Sequence, residues 1–119
     1  MESGAIIDAQ ITASSEYKSE DEENVHVAMV IPGRLHFQEN GSIAGAWVAN
    51  TSDDNQWLQV NLGDQYAKVT GVATQGRNSL TFQQWVTKYK LQYSDNGETF
   101  QIYRGHGRKT DKVKVNVIP

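Results

Sequence analysis

Along residues 56–63, QWLQVNLG, polar and apolar positions alternate. Leu58, Val60 and Leu62 fall on one face of an extended chain, and Trp57, Gln59 and Asn61 on the other. The pattern predicts a half-buried strand closed by Gly63, with a tryptophan at the head of its polar face. A weaker alternation in AQITASS (9–15) predicts a second strand, and AKVTGVATQG (67–76) a third. In WVTKYKLQYSDNGETFQIY (85–103), Tyr89, Leu91 and Tyr93 alternate with Lys88, Lys90 and Gln92. The following Asp95-Asn96-Gly97 supplies the left-handed conformations of a tight hairpin turn. No segment of useful length carries a helical period. Short strands separated by turn signals predict an all-β antiparallel sandwich or barrel. The stretch from Tyr17 to Trp47 matches no strand template, and loops of that length in a compact domain are functional or disordered.

Composition narrows the class. The 119 residues make one domain, and 38% hydrophobic content with three tryptophans is that of a folded globule. No apolar run approaches the roughly 18 residues of a membrane-spanning helix. A basic leader with an apolar core is also missing, so any secretion signal is expected to lie outside this sequence. Charge is unevenly spread. Residues 1–64 hold eleven acids and two bases, a balance of −9, and residues 65–119 three acids and nine bases, a balance of +6, which together give the net −3. The acidic run EYKSEDEEN (16–24) and the basic run RGHGRKTDKVK (104–114) read first as solvated loops. Their functional counterparts are a cation site and an anion site.

Catalytic machinery is not evident. The chain has no cysteine nucleophile, no G-x-S-x-G, no H-E-x-x-H and no G-x-x-x-x-G-K-[ST]. His26, His36 and His106 are too scattered for a metal site, and the acids sit in hydrophilic runs where nothing apolar raises a pKa. A non-enzymatic protein is expected. One basic patch on an acidic chain does not make a nucleic-acid footprint either.

MESGAI, ITASS, GRLHFQENG, GAWVAN, NQWLQVNLG, VTGVATQGR and WVTKYKLQYSDNGETF occur in the order found in the coagulation factor 5/8 type C family, the discoidin domains. From Met1 to about Tyr103 the chain resembles that family. The resemblance implies a jelly-roll β-barrel, without catalytic activity, whose projecting spike loops bind a ligand outside the cell. Family members bind phosphatidylserine membranes, glycans, collagen or other extracellular proteins. It also implies that Trp57 is core, packed between sheets with Trp47. Family domains are commonly closed by a terminal disulfide, whereas this chain has no cysteine and ends at VNVIP. The resemblance therefore implies a C-terminally truncated domain over 1–119, lacking closing strands and leaving unpaired edges.

By the same resemblance the spikes fall at Tyr17 to Pro32, roughly Gln38 to Ala46, and Gln75 to Gln84. The first spike of membrane-binding relatives carries tryptophans and lysines, whereas here it is acidic and would be repelled by a negative leaflet. Met29 and Ile31, within VAMVI, could still insert or could pack beneath the loop, and Leu80 matches an apolar third-spike residue. Arg77 falls where collagen-binding relatives use an arginine and Tyr17 where they carry a tryptophan, while Gln83 or Gln84 replaces their acid. An arginine beside Tyr17 and Phe82 also offers a sugar a stacking face and a fork of donors. A loop-bracing hydrogen bond is the structural alternative for Arg77. Calcium is the cation that SEDEEN could bind through oxygen ligands, although the run lacks the spacing of a dedicated loop; no other cofactor is expected. The sequons Asn40-Gly41-Ser42 and Asn50-Thr51-Ser52 agree with an extracellular setting.

The sequence thus predicts a secreted or extracellular adhesion module. Its ligand-binding residues are Tyr17, Met29, Ile31, Arg77, Leu80 and Phe82, and its partner a glycan or matrix protein. An anionic phospholipid membrane is the alternative, and a fragment pairing through an exposed strand edge the second alternative.

Overall fold

The computed structural model describes residues 5–17, 33–39, 44–64, 68–77 and 79–104, together with the backbone of 113–114. Its described secondary structure is short strands and a single 3-10 turn, Asp8–Gln10, with no α-helix. In chain order the strands are β1 (Ile11–Ala13), β2 (Leu58–Val60), β3 (Tyr89–Lys90), β4 (Gln92–Tyr93), β5 (Gln101–Ile102) and β6 (Val113–Lys114). They pair antiparallel as β1–β2, β3–β6 and β4–β5. This is the all-β, antiparallel architecture that the alternation predicts.

The first pair carries the core. Ile11 stands opposite Val60 and Ala13 opposite Leu58, so the apolar positions of both strands share one face. Ile11, Trp47 and Ala49 are buried, and Ile6, Ala13 and Leu58 pack against them. Gly33 lets a further segment cross this face closely: a Cβ there would lie 3.2 Å from Leu58 Cδ2 and 3.5 Å from Trp47 Cβ. Backbone and side-chain bonds extend the ladder at both ends. The Ser14 N–H donates to the Trp57 carbonyl (2.9 Å), the Trp57 N–H to Ser14 Oγ (2.9 Å), and the Asn61 N–H to the Gln10 carbonyl (2.7 Å). Gln10 in turn donates from Nε2 to the Asn61 carbonyl (2.8 Å), tying the 3-10 turn to the end of β2.

Two expectations are corrected here. Trp47 is core at 8% exposure, but Trp57 is 48% exposed. With Leu58 and Val60 turned inward, period-two alternation turns Trp57 and Gln59 to the opposite face. The strand's own pattern prevails over the core placement drawn from the resemblance. The segment 68–76 forms no strand either. Its residues are exposed, Val69 and Val72 among them, and a Cβ on Gly71 would meet nothing within 4 Å. No described strand pairs with it, and alternation alone does not make a strand without a partner to pair with and pack on.

The hairpin forms, with a wider connection than the tight turn predicted. Gln92 faces Ile102 and Tyr93 faces Gln101, which leaves 94–100 as the loop. Gly97 takes φ +72°, as a left-handed position requires. Asn96 Oδ1 accepts from the N–H groups of Glu98 and Thr99 (both 2.9 Å), and Ser94 Oγ from those of Asn96 (3.2 Å) and Gly97 (3.0 Å). Side-chain acceptors satisfy the backbone there in place of a two-residue turn.

Candidate binding surface

The loop 75–84 is held by its own polar groups. The Arg77 N–H donates to the Gln84 carbonyl (2.7 Å), closing the base. Gly76 permits that closure, since a Cβ there would sit 3.2 Å from the Gln84 oxygen and 3.3 Å from Trp85 Cβ. Inside the loop the Ser79 N–H donates to the Arg77 carbonyl (3.1 Å), and Ser79 Oγ accepts from the N–H groups of Thr81 (3.2 Å) and Phe82 (3.1 Å). Leu80 lies between these bonds and projects completely, at 102% exposure. Phe82 and Trp85 follow it, both also exposed.

Beneath the tip, the Arg77 side chain is only 14% exposed. Its Nη1 donates to Gln84 Oε1 (2.8 Å), and its Nη2 to Glu39 Oε1 (3.2 Å), across 38 residues of sequence. The guanidinium carbon lies 4.6 Å from the centroid of the Phe82 ring, a cation–π geometry. Nε is buried without a hydrogen-bond partner. Two of the fork's three nitrogens are therefore spent inside the protein, one on the loop's own base and one on the segment 33–39.

Of the residues singled out in the sequence, Arg77 and Phe82 meet, and Leu80 is fully exposed on the same loop. Tyr17 is 51% exposed and is anchored by its N–H to the Val48 carbonyl (2.8 Å). No hydrogen bond or ring contact among the described residues joins it to the Arg77–Phe82 pair. Met29, Ile31 and the acidic run 20–23 lie outside the described residues. Sequence reasoning missed Glu39. Its position in GRLHFQENG carries no local signal for a partner 38 residues away. Gln83 or Gln84 stands, by the resemblance, where relatives carry a ligand-binding acid, and here Gln84 takes one arm of the guanidinium.

A second surface feature lies beside β1, where Ala13, Ser15, Glu16 and Asn50 line an open hollow of about 540 Å³. Its floor is tied together by Ser15, whose hydroxyl donates to Gln56 Oε1 (2.5 Å) and accepts from the Asn50 N–H (3.0 Å). The Ser15 carbonyl accepts from Trp47 Nε1 (2.9 Å). Nearby, Asp53 Oδ1 accepts from Gln56 Nε2 (2.9 Å) and the Asn55 N–H (2.8 Å), and these two bonds, the former first, hold its carboxyl below the ordinary range. Among the described residues no three His, Asp or Glu side chains come together as a metal site.

Comparison with known proteins places this geometry. The F5/8 type C domain model matches residues 10–119. Over 113 residues, 95% of this chain, it is 38% identical to human EGF-like repeat and discoidin I-like domain-containing protein 3, to pig coagulation factor V and to rat lactadherin. The chain spans 22%, 5% and 25% of those three proteins, so the likeness is to a module within each. No solved structure matches the chain. Seven motifs in register, an antiparallel β framework and a family match over nearly the whole length agree: the chain belongs to the F5/8 type C, or discoidin, domain family, a family of non-catalytic binding modules.

Proposed function

We propose that this domain is an extracellular recognition module that docks on a phospholipid bilayer through the loop 75–84, with Leu80 as the leading contact. The observation that carries the reading is the complete exposure of Leu80 at the tip of a loop held by its own hydrogen bonds. A lone surface leucine needs no explanation. This one is followed on the same chain segment by exposed Phe82 and Trp85, a grouping that an apolar medium would cover. Burying one leucine side chain yields about 2 kcal/mol, so a single tip gives weak docking that neighbouring aromatics or further modules would strengthen. The segment 65–119 carries the +6 balance, which favours approach to an anionic leaflet, and the acidic half opposes it. A glycan or matrix-protein contact through Arg77 is less favoured, because Glu39 and Gln84 already take two of its donors.

Flotation with vesicles of phosphatidylcholine alone, and with phosphatidylserine added, tests this reading. Binding should drop several-fold in Leu80→Ser while the fold is retained. Unchanged binding in Leu80→Ser, or binding to a glycan or collagen with none to vesicles, would refute it.

A further inference from the structure

We propose that Asn50 accepts an asparagine-linked oligosaccharide. The sequon Asn50-Thr51-Ser52 lies wholly within the described residues, and all three positions are exposed. It directly follows the buried pair Trp47 and Ala49, at the point where the chain leaves the core for the surface loop leading to β2. The loop's hydrogen bonds engage Asp53, Asn55 and Gln56. Asn50 contributes its backbone N–H, to Ser15 Oγ, and its carboxamide enters none of the bonds described. The backbone of the acceptor is therefore fixed at an open hollow that Asn50 lines together with Ala13, Ser15 and Glu16. A glycan rooted there is accommodated without displacing a packed group.

The reaction is a group transfer. The Asn50 amide nitrogen bonds to the anomeric carbon of an oligosaccharide carried on a lipid diphosphate. The carbon–oxygen bond to the diphosphate breaks, the diphosphate leaves with that electron pair, and the amide gives up one proton. No electrons are exchanged with an oxidant or reductant. In consequence the glycan root sits beside Glu16, one residue from Tyr17, and shields that flank. Recognition is then left to the loop 75–84.

This inference rests on the extracellular reading, and its test is independent of any ligand. The full chain, behind a cleavable secretion leader, is translated with rough microsomes, and only protease-protected chains are scored. Protected chains should migrate more slowly, and peptide N-glycosidase in heavy-oxygen water should restore mobility and leave labelled aspartate at position 50. Asn50→Gln and Ser52→Ala should each lose the Asn50-borne shift, and Asn40→Gln should retain it. Protected chains with unmodified Asn50, whether or not Asn40 is modified, would overturn the proposal. The vesicle assay uses unglycosylated protein, so failure of lipid docking is read separately.

Discussion

If Arg77 is a brace beneath the binding loop, its removal should cost stability before it costs recognition. Arg77→Ala deletes a hydrogen bond to Gln84 (2.8 Å), an ion pair with the partly exposed Glu39 (3.2 Å) and a guanidinium 4.6 Å from the Phe82 ring. The hydrogen bond is worth about 1 kcal/mol net, and the ion pair and the ring contact each about 0.5–1 kcal/mol. Relief of the buried, unpartnered Nε returns about 1 kcal/mol of that. The net loss is then about 1–2 kcal/mol, which in a domain of this size lowers Tm by roughly 4–8 °C. Urea unfolding of Arg77→Ala, Glu39→Gln and the double variant measures it, and the cycle should return a coupling of about 0.5 kcal/mol for the Arg77–Glu39 pair. Arg77→Lys should recover little, because an ammonium cannot serve Gln84 and Glu39 as the planar fork does. The opposite result is unambiguous: if Arg77→Ala unfolds like the parent and yet abolishes binding, Arg77 is a ligand contact and the bracing argument is wrong.

The remaining predictions concern the core and one carboxylate. Trp47→Ala should cost about 3–5 kcal/mol, since the ring is buried and its Nε1 donates to the Ser15 carbonyl, whereas Trp57→Ala should cost about 1 kcal/mol; equal losses in urea unfolding would contradict the placement of the two rings on opposite faces. Asp53 should titrate below an ordinary aspartate in NMR, and Gln56→Ala should raise its pKa, because the Gln56 bond is the main cause of the depression. A depressed folded-state pKa means that the contribution of Asp53 to stability is present above its unfolded pKa and is lost as pH falls through the folded one. At this fully exposed site the effect is small, and a stabilisation by Asp53 that grows toward acid would contradict the sign.

What could be read from the sequence follows the range of the forces involved. The strands β1 and β2 were legible because period-two alternation is local, although their pairing was not, and the same alternation decided the side on which Trp57 emerges. The Asp95-Asn96-Gly97 turn was legible because Gly97 needs its positive φ and Asn96 its short acceptor. The wider loop was not, because it depends on Ser94 capturing backbone N–H groups as well. Segment 68–76 looked like a strand because alternation states only that a strand would suit, and pairing requires a partner that local sequence does not name. Among the site residues, the family resemblance set Arg77 beside both Tyr17 and Phe82, of which Phe82 meets it and Tyr17 shows no contact with it among the described residues, and Glu39 was out of reach. A charge contact over 38 residues is set by the fold, and a lone glutamate gives no periodic signal.

The arrangement of the loop also explains why the ligand was the hardest thing to read. Bracing and contact are divided between different residues. Gly76, Arg77, Ser79 and Gln84 hold the loop through bonds that any tip residue would leave intact, because Ser79 captures the N–H groups of Thr81 and Phe82 without using the Leu80 side chain. Leu80 contributes no packing to the folded domain, so the fold places no demand on what stands there. A leucine, a lysine or a tyrosine at that position would be tolerated equally by the brace and would face entirely different partners. Family membership therefore constrains the scaffold tightly and the ligand loosely, since function is carried by a site grafted on a shared fold. The separation has a mechanical consequence as well. Apolar burial at the tip stabilises the bound state only to the extent that the loop is already ordered, so the Arg77 brace raises affinity by lowering the ordering cost rather than by touching the ligand.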